Sequence, residues 1–574
     1  MRRLLLLFVL ILCACESDEA EVGDPPDAPD AIVADMASAG DLSPEPGRDQ
    51  GADDVGVDMS DEVIEADMST GRDEEIALQS GSVVSTTHGQ VEGSEEGDLR
   101  VFKGIPFAQP PVGALRFRRP RKMEPWDGSL DATEFGPSCL QSTSFNSQGT
   151  SEDCLTLNVW GHLDDTPRPV MVWIYGGGFI AGETAMNAYD GADLAEQADV
   201  VVVSINYRLG ALGNLALPEL RDEDPMGAVG NMGLLDQIAA LEWVRDNAAA
   251  FGGDPDNITV FGESAGGIST CALIGAPVAD ELFHKAIIQS GNCALFTQAE
   301  GEGGPIGGPS AMEYGERLAQ EVGCPAGPER LSCLRELEGE DLIDAVEVQE
   351  LTNILEVEAV LGWTIDGVVL PTTPYERILS GEAPDRPVLG GSTGNEAFIF
   401  TVPVSIWTRG DFEDAITPLV RDEDTAAAIV DLYSIVSYPI AKDAYNAFVG
   451  ELMFGCNTHH ALRAMSSGYH YELELAPATL MTTYGPMHGA DIFYVFGNFI
   501  SSGIVPTLFD LDLQREVQQA WGSFARTGIP SWSGGWQPTT WEDPQHLAIG
   551  LVSEMESDFR SGRCDRLREL GVLP

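Results

Sequence analysis

The sequence predicts an α/β fold: a large, mostly parallel central sheet flanked by helices, in a single domain spanning 79–574. Three observations carry this. Apolar runs of strand length recur along the chain at 168–175 (RPVMVWIY), 199–207 (DVVVVSINY), 257–262 (NITVFG), 285–291 (KAIIQSG), 386–391 (RPVLGG) and 469–476 (YHYELELA). Most are near-continuous in Val, Ile and Leu, as expected of strands buried on both faces of a parallel sheet. Between them lie helix-length stretches such as 231–251 (NMGLLDQIAALEWVRDNAAAF), with apolar residues at helical spacing. No internal repeat or break in composition divides residues 79–574, and 43% hydrophobic content with ten tryptophans suffices for one large core.

The chain begins MRRLLLLFVLILCACES. Two arginines precede about ten apolar residues, too few for a membrane span, which needs about 20. An export signal over 1–14 is expected, with an ordinary secretory signal as the plainer alternative. The segment resembles a bacterial lipoprotein signal, which implies that Cys15, preceded by small Ala14, becomes the lipidated N-terminus. Cys13 follows bulky Leu12 and fits less well. A cell-envelope lipoprotein facing the periplasm or the cell surface is thus expected, touching membrane only through its anchor. Residues 15–78 are rich in Asp and Glu, with only Arg48 and Arg72 as cations and no aromatic residue. Such a stretch cannot bury enough apolar surface to offset its ordering entropy, and it predicts a disordered acidic tether reaching about 40 Å. Its aspartates lack the spacing of an EF-hand calcium loop.

A formal charge of −61, with four lysines (Lys103, Lys122, Lys285, Lys442), excludes nucleic acid and anionic lipid surfaces as partners. It suits a protein kept soluble in salty surroundings or a generally acidic proteome. No group of residues has metal-ligand spacing, and no cofactor is expected.

Gly-x-Ser-x-Gly occurs twice, as GESAG at 262–266 and GGSTG at 390–394. The pentapeptide alone is weak. Ser264, however, follows the apolar run ITVFG and precedes AGGISTCALIGA, small residues that can start a helix. A serine on such a strand-to-helix turn stands above the sheet edge, where it can act as a nucleophile if a histidine base and an orienting carboxylate follow it in the chain. Six of the eight histidines follow Ser264. His488 lies in YGPMHGADIFYVFG, between two glycines that permit a loop. His284, His459, His460, His470 and His546 sit in helix-like, strand-like or polar surface contexts.

The stretches FKGIPFAQPPVGALRF (102–117), SEDCLTLNVW (151–160), VMVWIYGGGF (170–179), NYRLGALG (206–213), 230–267 around GESAGG, and LFHKAIIQSG (282–291) together resemble the type-B carboxylesterase family. That family has the α/β-hydrolase fold and includes cholinesterases, fungal lipases and the non-catalytic neuroligins. The resemblance implies that Ser264 is the nucleophile, Glu396 in GGSTGNEAFIF the acid and His488 the base. Asn395-Glu396-Ala397 stands where many relatives have Asp-Glu-Gly, so Asp385 and Asp491 remain weaker candidates for the acid. Ser392, four residues before Glu396, is expected to be a turn residue rather than a second nucleophile. Attack on an ester needs preset N–H donors for the oxyanion. The resemblance assigns these to Gly177, Gly178 and Ala265. Glu263, beside the nucleophile, is expected to be a buried carboxylate, either tuning the pocket or serving structure only.

For an exported chain the resemblance further implies disulfides Cys139–Cys154, Cys324–Cys333 and Cys456–Cys564, leaving Cys271 and Cys293 as an open pair. It also implies a buried Arg116–Glu152 ion pair. The loop closed by the first bridge is short and lacks the tryptophan that cholinesterases use for choline, so neutral carboxylic esters of modest chain length are the expected substrates. A lipase acting on longer chains, and a neuroligin-like surface binding protein, are the competing expectations.

Overall fold

The computed structural model describes residues 82–573 apart from 143–148, 165, 296, 300, 302–308, 346–361 and 421. The expected signal 1–14, the lipidated Cys15 and the tether 15–78 lie outside the described residues, as does part of the loop between Cys139 and Cys154.

Eleven strands form the main sheet: β1 (Ser94–Glu96), β2 (Leu99–Pro106), β3 (Thr156–His162), β4 (Arg168–Ile174), β5 (Val201–Ile205), β6 (Gly253–Glu263), β7 (Lys285–Gln289), β8 (Val388–Thr393), β9 (Gly468–Leu473), β10 (Gln545–Ile549) and β11 (Glu554–Ser557). Their spatial order is β11-β10-β9-β8-β7-β6-β4-β5-β3-β2-β1. From β5 to β10 all neighbours are parallel, and the strands beyond each end are antiparallel. The six apolar runs read from the sequence correspond to β4–β9. Every residue of β4, β5, β7, β8 and β9 is buried, which is why their sequences run apolar without alternation. The outermost β11 (EMES) is mostly exposed and acidic, which discourages edge pairing with another chain.

Strands β2, β3 and β10 were not evident from periodicity, for a physical reason. β3 (TLNVWGH) buries polar side chains that find partners: Asn158 Nδ2 donates to Ser204 Oγ at 3.0 Å, and the Gly104 N–H donates to Asn158 Oδ1 at 2.9 Å. A buried polar group that is hydrogen-bonded costs little, yet it disguises the strand.

The helices used below are α1 (Ala192–Ala198), α2 (Met232–Asn247), α3 (Ala265–Gly275), α4 (Ala441–Gly450), α5 (Cys456–Arg463), α6 (Ala490–Phe496), α7 (Leu508–Thr527) and α8 (Arg563–Glu569). A π-helical turn, Glu451–Gly455, joins α4 to α5. α2 is buried nearly all round, even at Asp236, which pairs with Arg208 through two 2.7 Å hydrogen bonds. Burial holds the Asp236 carboxyl above the usual range despite that guanidinium. Among the described residues four disulfides are present: Cys139–Cys154, Cys324–Cys333, Cys456–Cys564 and Cys271–Cys293. Arg116 and Glu152 form a two-pronged ion pair with bonds of 2.7 and 2.5 Å.

Four of the histidines, His459 and His460 on α5, His470 on β9 and His546 on β10, lie buried together. The Phe559 ring sits 5.0, 4.5 and 5.2 Å from the rings of His459, His470 and His546, and His459 and His470 share a 3.2 Å Nδ1···Nδ1 hydrogen bond. His460 flanks them and bonds to Asp565 at 3.1 Å. Burial lowers all four, His459 and His470 furthest and His460 and His546 to about 4, with Arg463 and Arg560 adding repulsion. These imidazoles are neutral in the fold, whereas in the unfolded chain they charge below about pH 6.5. The unfolded state therefore binds more protons in acid. The cluster's contribution to stability is complete above about pH 6.5 and is lost as the pH falls toward 4. Urea midpoints between pH 7 and 4.5 should drop with pH, and the slope should shrink in a His459→Gln/His470→Gln variant. A slope equal to wild type in that variant would contradict this account.

Candidate active site

β6 ends at Glu263 and α3 starts at Ala265, so Ser264 alone makes the turn, at φ 57° and ψ −123°. A non-glycine residue rarely adopts this conformation, and it persists only where the surroundings over-determine it. Here the Ser264 N–H donates to the Gln289 carbonyl on β7 at 3.0 Å, and the Ser264 carbonyl accepts from the Ile268 N–H at 2.9 Å. The two glycines of the pentapeptide face each other: a Cβ on Gly262 would run into the Gly266 carbonyl, and one on Gly266 into the Ile174 carbonyl. Helix α3 can approach β4 and β6 this closely only because both positions lack a side chain. Ser264 itself stays partly exposed while its neighbours are buried.

Beyond β4, Gly177, Gly178 and Phe179 have φ of 114°, 64° and 62°. A Cβ on Gly177 would collide with the Ala181 carbonyl. Among the described residues, the N–H groups of Gly177, Gly178 and Ala265 donate to no other part of the chain. Tyr175, ahead of the glycines, is fully buried and stacks on Tyr207 at 4.7 Å, with Tyr207 Oη donating to the Tyr175 carbonyl at 2.9 Å.

His488 and Glu396 meet: His488 Nδ1 lies 2.5 Å from Glu396 Oε2, and both side chains are about 1% exposed. The other carboxylate oxygen, Oε1, accepts from Ser290 Oγ and from the Thr393 N–H, each at 2.6 Å. Asp491, a weaker candidate for the acid, is buried and accepts from Gln289 Nε2 and Tyr471 Oη. Asp385, the other, is exposed and accepts from Ser466 Oγ. Ser392 corrects an expectation: it is a fully buried residue inside β8, not a turn residue.

The Asn395-Glu396-Ala397 departure has a structural account. Asn395 Nδ2 donates to the Tyr484 carbonyl at 3.0 Å and its backbone N–H to Pro486 at 2.8 Å, tying the Glu396 turn to the loop that carries His488. A carboxylate could not donate that side-chain bond. Ala397 has φ −80°, so the position does not require glycine.

Three buried carboxyl side chains surround His488. Glu263 Oε1 lies 3.2 Å from His488 Nε2, and Glu263 is 3% exposed. Burial pushes its carboxyl up to about 8, against the pull of His488. Burial lowers the His488 imidazole, but Glu263, Glu396 and Asp491 outweigh it and hold it at about 9. Apolar walls complete the setting: the rings of Phe454 and Phe400 lie 4.6 and 5.1 Å from the imidazole. Ser290, Phe400 and Phe454 carry no motif that would single them out, and only their neighbourhood reveals them.

A family model described as Carboxylesterase family matches residues 80–567. The para-nitrobenzyl esterase of Bacillus subtilis is 34% identical over 511 residues, covering 84% of this chain and 98% of that protein. The acetylcholinesterase of Leptinotarsa decemlineata is 33% identical over 526 residues, covering 81% of this chain and 82% of its own. A solved structure of PNB esterase superposes with a TM-score of 0.74 at 34% identity, covering 85% of this chain and 99% of that one.

The electrostatics can be measured without turnover. The His488 imidazole should titrate well above the ordinary histidine range, followed by NMR of its ring proton. Replacing Glu263 by Gln removes a negative charge that favours the cation, so the midpoint should move to lower pH. An unchanged or higher midpoint would show that Glu263 does not set it.

Proposed function

This chain belongs to the carboxylesterase family, and we propose that it hydrolyses neutral carboxylic esters in two acyl-transfer steps, with Ser264 as nucleophile, His488 as base and Glu396 as the carboxylate that orients it. The 2.5 Å contact of His488 Nδ1 with Glu396 carries this reading. An imidazole that donates Nδ1–H to a carboxylate presents a basic Nε2, as a general base for a serine requires. In its neutral form, which gains population as the pH rises toward about 9, His488 takes the proton of Ser264 as Oγ attacks the carbonyl, then returns it to the leaving alcohol. In the second step it activates water against the acyl-enzyme. The N–H groups of Gly177, Gly178 and Ala265 receive the oxyanion, a role supported by their lack of other acceptors among the described residues.

The surroundings favour an uncharged substrate. Phe400 and Phe454 offer apolar walls beside the base, and the buried carboxyls of Glu263 and Asp491 disfavour an anionic acyl group. Acyl chains of modest length are the substrates proposed. Turnover of p-nitrophenyl esters from about two to sixteen carbons tests both claims, as the mechanism requires no cofactor to be supplied. Ser264→Ala should lower kcat by about 10,000-fold or more while the protein stays folded. Folded wild-type enzyme inert toward every chain length would end the hydrolase reading, and rates climbing toward the longest, aggregated esters would favour a lipase.

Export and anchoring are proposed on the N-terminal residues alone. Cleavage after Ala14 would leave Cys15 to carry the acyl chains that hold the enzyme at the envelope. Palmitate fed to expressing cells should label the wild type and not Cys15→Ser, and equal labelling would place the anchor elsewhere or nowhere.

A further inference from the structure

The loop bearing Glu396 is gripped from behind by a segment far away in the sequence. We propose that Arg560 is a positioning residue for the catalytic acid, and that residues 558–564 form a brace holding the acid and the base in register. The proposal rests on the assignment of Glu396 and His488 made above.

The guanidinium of Arg560 donates from Nη2 to the Thr393 carbonyl at 3.1 Å and from Nη1 to the Gly394 carbonyl at 3.4 Å. Nη2 also pairs with Glu472 at 2.9 Å. Thr393 is the residue whose N–H holds Glu396 Oε1 at 2.6 Å. The turn from Thr393 to Asn395 is therefore fixed on three sides. Arg560 holds its carbonyls, the Leu473 carbonyl accepts from the Gly394 N–H at 2.8 Å, and the Pro486 carbonyl accepts from the Asn395 N–H at 2.8 Å. Without the arginine, two carbonyls at the end of β8 lose a charged donor, and the peptide that fixes the carboxylate loses its support.

The same segment reaches the base. Arg563 forms an ion pair with Glu451, the first residue of the π-helical turn, and Cys564 is joined to Cys456 just beyond that turn. Within the turn, Phe454 packs on the His488 ring at 4.6 Å, and the Met453 carbonyl accepts from Asn292 Nδ2 at 2.5 Å. Asn292 lies two residues after Ser290, the second donor to Glu396. Arg560 and Arg563 thus brace the two loops that carry the acid and the base's aromatic wall.

The backbone of the brace is unusual. Asp558, Arg560 and Ser561 have φ of 71°, 53° and 54°, and Gly562 follows at 70°. Three non-glycine residues in the left-handed region within four positions persist only where contacts over-determine them, and such strain gathers at functional sites. Phe559, seated among His459, His470 and His546, and the Cys456–Cys564 bridge supply that constraint. If Arg560 served only as a counter-ion to Glu472, neither the two carbonyl bonds nor this conformation would be needed.

Arg560→Ala and Arg560→Lys, assayed on p-nitrophenyl butyrate, separate positioning from mere stability. Arg560→Ala should lower kcat about ten- to a hundredfold per titrated active site with KM unchanged, because displacing a catalytic group costs rate rather than binding. Arg560→Lys should recover part of that rate, since its ammonium keeps the charge without the two-pronged geometry. In a Glu396→Gln background Arg560→Ala should add nothing further, the two acting in one chain of contacts. A lowered melting temperature with unchanged kcat per site, or a full additional loss in that background, would overturn the proposal. Should Arg560→Ala fail to fold, Phe559→Leu loosens the seat with Arg560 in place and should lower kcat in the same KM-neutral way. Unchanged kcat there also overturns it. If instead Glu396→Gln keeps wild-type kcat, it is the triad assignment that falls, and the brace with it.

Discussion

A single residue, Ser264, turns the chain from β6 into α3 at φ 57° and ψ −123°, and the rest of the site is built around holding it there. The turn is so sharp that α3 must lie almost against the strands, which is possible only with glycine at 262 and 266. The Gln289 carbonyl on β7 then fixes the serine N–H, so the sheet rather than the loop sets its position. Because β4, β6, β7 and β8 are parallel and adjacent, their carboxyl ends deliver the triglycine, the serine, Ser290 and the Glu396 turn to one edge. Strain at one residue is sustained by a large rigid sheet.

Around that edge the chain concentrates negative charge where water is excluded. Glu263, Glu396 and Asp491 are each 3% exposed or less, and His488 is the cation they share. Burying carboxylates is costly unless they are hydrogen-bonded or paired. Glu396 is fully satisfied by Ser290, Thr393 and His488, Asp491 accepts from Gln289 and Tyr471, and Glu263 is held neutral over a wider range by burial. The arrangement favours a protonated imidazole, the form that the proposed mechanism produces as Ser264 gives up its proton.

The C-terminal part of the chain packs against the loops that carry Glu396 and Phe454. The π-helical turn, the Cys456–Cys564 bridge and the left-handed residues 558–562 bring Arg560 and Arg563 to bear on loops more than a hundred residues away in sequence. Fixing such distant segments costs loop entropy, offset by a covalent link and by burial of Phe559 among three imidazoles.

Much of this was legible in the amino-acid order. The continuous Val, Ile and Leu runs of β4–β9 marked a parallel sheet because strands buried on both faces need no alternation. Ser264 and His488 stood out because a tight turn and a loop between glycines leave local marks, whereas Glu396 was reached only through the family resemblance. β3 escaped notice because its Asn158 is buried with a partner that no local pattern foretells. Ser392 was misplaced because its nearness to Glu396 suggested the same loop, while the sheet makes it part of β8. Local sequence determined the strand periods, the elbow and the triglycine, since each depends on neighbouring residues alone. Only the tertiary structure decided which carboxylate faces His488, how four histidines share one core, and that Arg560 reaches the acid turn, because those contacts join residues whose separation in the chain carries no signal.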